Sequence, residues 1–145
     1  MRAAARFLSL PAAERGLAME AALYLLAVRL VFAVLPFARA LRLLAITRAE
    51  EGGGGRVAAG EAGAVGRAIG RAARHVPFRA ACLQQAFAAL LMLRRRDLAA
   101  TVHLGLARDA SGTGLEAHAW SRNGAVPVTG TAVARRFASV ATFAA

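Results

Sequence analysis

The sequence has no lysine, a single cysteine and only eight acidic residues among 145 residues. One cysteine excludes an internal disulfide and a cysteine-based zinc cluster. Long uncharged runs are also missing, because the longest, residues 80–93, is shorter than the ~18 residues that a membrane-spanning helix needs. The strongly apolar stretch 17–46 is interrupted by four charged side chains, Glu20, Arg29, Arg39 and Arg42. No transmembrane helix is therefore predicted.

All 19 basic residues are arginine, and they give a formal net charge of +11. They are scattered along the chain, with one tight cluster at residues 94–96, and they are neither interleaved with aromatic residues nor part of a recognised nucleic-acid motif. No nucleic acid partner is expected. The charge instead favours an acidic peptide, an anionic membrane surface or nothing specific.

No signal peptide is expected, since Glu14 and Arg15 precede the first hydrophobic region. We predict a cytoplasmic protein, with peripheral membrane contact as an alternative.

The first third of the chain is predicted to be helical. Apolar residues recur at helical spacing between residues 10 and 46, and Pro36 is expected to kink or end the first helix, with a second helix over 37–48. The acidic and glycine run 50–55 predicts a flexible break. The predicted organisation is an N-terminal helical arm at 1–50, a glycine-rich linker at 51–60, and a domain at 61–145.

Two further helices are predicted in that domain. Residues 61–74 carry Gly63, Gly66 and Gly70, which weaken a helix, so a close approach by another segment is expected there. Residues 78–96 contain neither glycine nor proline and predict a long helix with Cys82 in about its first turn.

After Asp97 the pattern changes to that of strands. Apolar and polar residues alternate over 101–106, residues 115–122 predict the next strand, and Asn123-Gly124 predicts a tight hairpin to 125–129. A short helix near 132–137 precedes a last apolar stretch. Helices followed by an antiparallel sheet define the α+β class.

Cys82 and His118 are the candidate nucleophile and base. A helix N-terminus favours anions, so a cysteine placed there is expected to be stabilised as the reactive thiolate. His118 lies in the middle of a predicted strand, where the sheet fixes its direction. A cysteine that opens a helix, followed by a histidine on a strand, is the order used by papain-like and transglutaminase-like cysteine enzymes.

Thr129 is the first candidate to orient the imidazole. If Asn123 and Gly124 are the two loop residues of the hairpin, then His118 is paired with Thr129 on one face of the sheet. A carboxylate would stabilise an imidazolium better, but no acidic residue follows Glu116.

Each candidate also has a structural interpretation. A single cysteine on an apolar helix, such as Cys82, is more often a small core residue, and a histidine on a strand, such as His118, is more often a structural hydrogen-bond partner. His75 is the rival base, His103 is expected to face solvent without a chemical role, and Gln84 or Gln85 is a candidate oxyanion donor. Neither a metal nor a cofactor is predicted.

Several blocks of the sequence together resemble the leader-peptidase family of lasso-peptide biosynthesis. They are Phe78-Arg79-Ala80-Ala81-Cys82-Leu83, the helix ending in Arg94-Arg95-Arg96, Val102-His103-Leu104-Gly105-Leu106 and Glu116-Ala117-His118-Ala119-Trp120. The opening Leu10-Pro11-Ala12-Ala13-Glu14-Arg15 is also similar to that family.

The resemblance implies a transglutaminase-like cysteine peptidase that removes the leader peptide from a ribosomally synthesised precursor. By carry-over, Cys82 is the nucleophile and His118 the general base and acid. The family's third member is an Asp soon after the histidine, where this chain reads Val128-Thr129-Gly130-Thr131. The resemblance therefore implies either a Cys–His dyad, oriented by Thr129 or a backbone carbonyl, or a weakly active copy.

The partners that the resemblance implies are the precursor peptide, a separate leader-recognition protein and a lasso cyclase. Two alternatives come from other functional classes. One is a non-catalytic scaffold that holds precursor and cyclase together, and the other is a membrane-associated interaction protein built on the helices of 17–46.

Overall fold

The computed structural model describes residues 1–49 and 54–145. Within them, five α-helices precede and flank a five-stranded antiparallel sheet. The helices are α1 (Arg2–Leu8), α2 (Ala12–Val34), α3 (Phe37–Leu43), α4 (Ala59–Ala73) and α5 (Cys82–Arg94). The strands are β1 (Thr47–Arg48), β2 (Thr101–Arg108), β3 (Leu115–Asn123), β4 (Val126–Thr129) and β5 (Ala138–Ala144), with a 3-10 helix at Thr131–Arg136. The predicted α+β class is confirmed.

Proline sets the boundaries of the N-terminal helices. Leu35 is extended, because the residue before a proline is disfavoured in the helical region, and α2 therefore stops before Pro36. The prediction that the next helix reaches Arg48 is wrong: α3 ends at Leu43, and Thr47 and Arg48 pair with β5 instead. The short helix α1 was not predicted.

The glycines of α4 divide into two kinds. A Cβ atom on Gly66 would meet the backbone carbonyl oxygen of Val128 in β4, which confirms a close approach there. At Gly63 and Gly70 the nearest groups are the flexible side chains of Arg67 and Arg74, and at Gly60 nothing lies within 4 Å. Among the glycines of α4, Gly66 is therefore the one that lets the helix pack closely against the sheet.

The sheet has the order β1-β5-β2-β3-β4. β2 pairs with β3 without a break, so that His103 lies opposite Trp120 and Gly105 opposite His118. The predicted β3–β4 pairing is wrong: Asn123 pairs with Val126, which makes Gly124 and Ala125 the loop, and a register shift follows between Ser121 and Arg122. The displaced loop and the shift together bring Thr129 opposite Ser121 rather than His118.

The main core lies between the helices and one face of the sheet. Leu25 and Val28 of α2, Phe87 of α5 and Val102 of β2 are fully buried in one cluster. An ion pair also joins α2 to the end of α5, where both Glu20 carboxylate oxygens accept hydrogen bonds from Arg96, at 2.7 and 2.8 Å.

The predicted division of the chain into arm, linker and domain stays a prediction. Residues 50–53 of the predicted break lie outside the described residues. Since α2 shares its core with α4 and α5, the helical arm packs on the rest of the chain rather than projecting from it.

One of the described helices, α2, is long and apolar enough to cross a membrane by length and composition. Its most apolar window has a mean hydropathy of 2.0, and 22% of that window is buried. The sequence prediction counted only uncharged runs, and Glu20 and Arg29 interrupt this one, so the absence of a transmembrane helix stays a prediction. Core helices of soluble proteins and signal sequences share this length and composition.

Candidate active site

Cys82 is the first residue of α5, and the turn before it is tied down by two glutamines. The Gln84 Oε1 atom accepts a hydrogen bond from the backbone N–H of Ala81 at 2.9 Å. The side-chain Nε2 of Gln85 donates to the backbone carbonyl of Ala80 at 2.8 Å. The predicted helix of 78–96 thus begins four residues late, which makes Cys82 the helix-opening residue. Its thiol is free and half-buried, so it lies where unpaired backbone amides favour an anion.

Arg29 of α2 supports the same segment from the other side. Its guanidinium donates to the Arg79 carbonyl at 3.3 Å and lies 5.0 Å from the centre of the Phe78 ring. The chain leading to Cys82 is therefore held by contacts from α2 as well as by its own glutamines.

His118 is held by a backbone carbonyl and by aromatic rings. Its Nε2 atom lies 2.7 Å from the Gly130 carbonyl oxygen. The imidazole stacks on Phe137 with ring centres 5.1 Å apart and on Trp120 at 6.1 Å. A backbone carbonyl, one of the two orienting groups considered from the sequence, therefore contacts the imidazole.

Cys82 and His118 lie on opposite faces of the sheet. Side chains alternate along a strand, and Ala119 belongs to the core shared with α5, while Trp120 packs with Ala134 and Phe137 on the other face. His118, two residues before Trp120, shares that outer face. Among the described residues, no hydrogen bond joins the Cys82 thiol to an imidazole.

α5 packs on the core face of the sheet, where the Phe87 ring is 5.9 Å from the Phe143 ring and Phe143 pairs with Val102. The sheet therefore lies between α5, which begins at Cys82, and the outer face that carries His118.

Thr129 does not contact His118. Its hydroxyl lies 2.7 Å from the Ser121 hydroxyl, and both side chains are buried. The expected pairing of His118 with Thr129 is wrong because the loop lies one residue later than predicted, which moves Thr129 two residues along β3, and the register shift moves it one more. The hydroxyl pair satisfies two buried polar groups, and a catalytic role for Thr129 stays a prediction without a contact to support it.

Gly130 is a site residue that the sequence reasoning missed. Its φ of +67° lies in the left-handed region, and a Cβ atom there would stand 2.6 Å from the Ala119 carbonyl oxygen and 3.1 Å from the His118 Nε2 atom. A lone glycine directly after a predicted strand was the available signal. Gly130 occupies the region where the resembled family has its Asp.

The other two histidines lie apart from Cys82 in different ways. His103 stacks on Trp120 and lies 3.2 Å from the Thr142 hydroxyl. His103 is half-buried under these contacts, and not fully exposed as expected from the sequence. Burial, and then the charge of Arg122, lower the pKa of His103 below its usual value of 6.5. The Nδ1 atom of His75 contacts the Arg71 carbonyl oxygen at 2.8 Å, so this rival base is engaged with its own helix.

Among the described residues, no group of three or more histidine, cysteine or acidic side chains is placed to hold a metal ion. The expectation that the protein uses neither a metal nor a cofactor stays a prediction.

The chain matches one known protein family over most of its length. Residues 22–142 match the model of the transglutaminase-like superfamily, a match that takes in α4, α5, Cys82 and His118. The chain belongs to this superfamily, which includes many cysteine peptidases. No curated protein and no solved structure gave a match.

Proposed function

We propose that this protein is a cysteine peptidase that removes the leader peptide from a lasso-peptide precursor before a separate cyclase closes the macrolactam ring. The observation that carries the proposal is Cys82 as the opening residue of α5 within a transglutaminase-like domain. The His-Ala-Trp block at 118–120 and the resemblance to lasso leader peptidases supply the substrate class.

The proposed reaction has two steps. The Cys82 thiolate attacks the carbonyl carbon at the leader–core junction, and His118 gives a proton to the departing amine as the peptide bond breaks. His118 then takes a proton from water, whose oxygen attacks the thioester and releases the leader with a free carboxylate. The Cys82 amide is a candidate donor to the oxyanion in both steps.

This mechanism requires His118 to reach Cys82 from the outer face of the sheet. Among the described residues, β4 pairs with β3 at Ser121–Asn123, and beside His118 the edge of β3 is occupied by the turn at Gly130 rather than by a strand, so this turn must move aside. We propose that substrate or a leader-recognition protein brings the imidazole around this edge, and that the isolated chain is a poor enzyme.

The test is cleavage of a lasso precursor by the protein together with its leader-recognition protein, followed by mass spectrometry. Cys82→Ala should abolish cleavage while circular dichroism shows an unchanged fold. Ser111→Ala, in an exposed loop, is the control and should cleave normally. Retained cleavage by Cys82→Ala would refute the peptidase proposal.

A non-catalytic scaffold is the second candidate, and the separation of Cys82 from His118 favours it. A scaffold would hold precursor and cyclase together without using its thiol. In the reconstituted pathway, Cys82→Ala would then leave the yield of lasso peptide unchanged.

A membrane-associated protein is the third candidate, and the outer face of α2 favours it. Met19, Leu23, Leu26, Leu30 and Val34 recur along one side of this helix and are all exposed. Sedimentation with anionic vesicles tests this function, because Leu23→Gln combined with Leu30→Gln should release a bound protein without disturbing the core.

A further inference from the structure

A groove of about 820 Å3 lies between α1, α2 and the C-terminal end of α4. Ala4 and Phe7 of α1 form one side, Met19 and Ala22 of α2 form another, and Val76 and Pro77 close the end. Its volume falls within the range of ~300–1,000 Å3 typical of ligand sites. The walls are apolar, so the groove is suited to apolar side chains.

The rim of this groove is basic. Arg6, Arg71 and Arg74 line it together with His75. Glu14 pairs with Arg71 at 3.3 Å, and among the described residues Arg6 and Arg74 form no ion pair. One of the three guanidinium groups is thus compensated, and the groove presents uncompensated positive charge beside an apolar wall.

The groove opens onto the chain segment that leads to the candidate nucleophile. Pro77 lies on its wall and precedes Cys82 by five residues, which span at most about 18 Å when fully extended. Arg29 fixes the intervening segment through its contacts with Phe78 and Arg79. A bound peptide of a few residues is therefore long enough to reach from the groove to the thiol.

We propose that this groove is an exosite for an acidic, apolar segment of the peptide substrate. Apolar side chains of that segment enter the groove between α1 and α2, and its carboxylates meet Arg6 and Arg74. The exosite deepens the proposed function and rests on it for the identity of the peptide, but binding can be measured without cleavage.

The experiment measures fluorescence anisotropy of a short fluorescein-labelled peptide of leucine and glutamate, added to the full chain carrying Cys82→Ala. This peptide should bind, and a leucine–lysine peptide of equal length should not. Arg6→Glu combined with Arg74→Glu should weaken binding by at least about tenfold, or about 1.4 kcal/mol.

Two further variants separate the groove from general charge attraction. Arg39→Glu combined with Arg135→Glu makes the same change in net charge at exposed sites outside the groove, and it should bind nearly as well as the parent. Ala4→Trp fills the groove from the exposed face of α1 and should weaken binding without altering charge.

Equal binding by the groove and control variants, or unchanged binding by Ala4→Trp, would overturn the exosite. This outcome leaves Cys82-dependent cleavage untouched and so does not affect the proposed peptidase. The reverse outcome, groove-dependent binding without cleavage of any precursor, would support the exosite and count against the peptidase.

Discussion

The Nε2 atom of His118 lies 2.7 Å from the carbonyl oxygen of Gly130. Because a carbonyl only accepts, the neutral imidazole carries its proton on Nε2 and leaves the Nδ1 lone pair free. A carbonyl dipole supports an imidazolium less strongly than the carboxylate of a Cys–His–Asp triad does. Gly130 therefore fixes the tautomer of His118 without supplying a full counter-charge.

Gly130→Ala should disturb His118 as well as the local backbone. The added Cβ would lie 3.1 Å from Nε2 and 2.6 Å from the Ala119 carbonyl oxygen. Gly112→Ala is the matched control, since Gly112 has a similar φ of +74° but no atom within 4 Å of the added Cβ. The NMR signals of the His118 ring should shift in Gly130→Ala and not in Gly112→Ala. Unchanged His118 signals in Gly130→Ala would contradict the contact between Gly130 and the imidazole.

The rate of Cys82 alkylation against pH tests the proposed partnership of thiol and imidazole. If the imidazole acts on the thiol, His118→Ala should change the profile once the leader-recognition protein and precursor are present. Thr129→Val removes the hydroxyl that contacts Ser121 and should leave the profile unaltered. A profile that ignores His118 in the assembled complex would remove the chemical basis of the peptidase.

Gly66→Ala should destabilise the protein by about 1–3 kcal/mol, since the new methyl group would push α4 away from the Val128 carbonyl of β4. Gly60→Ala, on the same helix with open space around it, should instead stabilise by up to about 1 kcal/mol. Urea unfolding of both variants gives the comparison. Stabilisation by both alanines would show that the helix is not seated at Gly66.

Glu20 should make folding stability fall in acid. The hydrogen bond from Arg96 lowers the pKa of this carboxyl below its usual 4.5, against the opposing effect of burial. Its contribution is therefore fully present above pH 4.5 and is lost as the pH falls through the lower pKa of the folded state.

Glu20→Gln should cost about 1–3 kcal/mol near neutral pH and should flatten this acid limb in urea unfolding. The exposed Glu116–Arg136 pair is the control, and Glu116→Gln should cost less than about 1 kcal/mol. Equal losses of folding stability in Glu20→Gln and Glu116→Gln would contradict a special role for the Glu20–Arg96 ion pair.

His103 should impose a second pH dependence in a higher range. Burial, and then Arg122, lower its pKa below 6.5, so the unfolded chain takes up this proton first as the pH falls. Stability should decline below pH 6.5 until the folded-state pKa is reached. His103→Gln should remove that decline, whereas the control His75→Gln, at an exposed position, should keep it. A decline that persists in His103→Gln would show that another group causes it.

Local patterns in the sequence predicted most elements because the period of apolar residues reflects which side of an element is buried. The helix–sheet order, the end of α2 before Pro36 and Cys82 near the start of α5 all follow from such patterns. The exact first residue of α5 was not predictable in this way, since its late start depends on hydrogen bonds between the side chains of Gln84 and Gln85 and backbone groups.

The relation between the site residues was not predictable in the same way. The position of the hairpin loop and a register shift between Ser121 and Arg122 together decide what Thr129 faces, and such a shift leaves no clear periodic trace. Likewise, strand alternation places His118 and Trp120 on one face, but which face meets α5 depends on long-range packing. The contact of His118 with Gly130 arises from a turn whose geometry no spacing rule describes.

Trp120 is the only tryptophan in the chain and lies between two imidazoles, with ring centres 5.5 Å from His103 and 6.1 Å from His118. Protonated imidazole quenches indole emission, so the intrinsic fluorescence of this protein reports the charge state of both histidines without a label. An event that draws His118 toward Cys82 also removes one of these quenchers. The aromatic stack thus gives the molecule a built-in optical readout of whether its candidate base has left the outer face of the sheet.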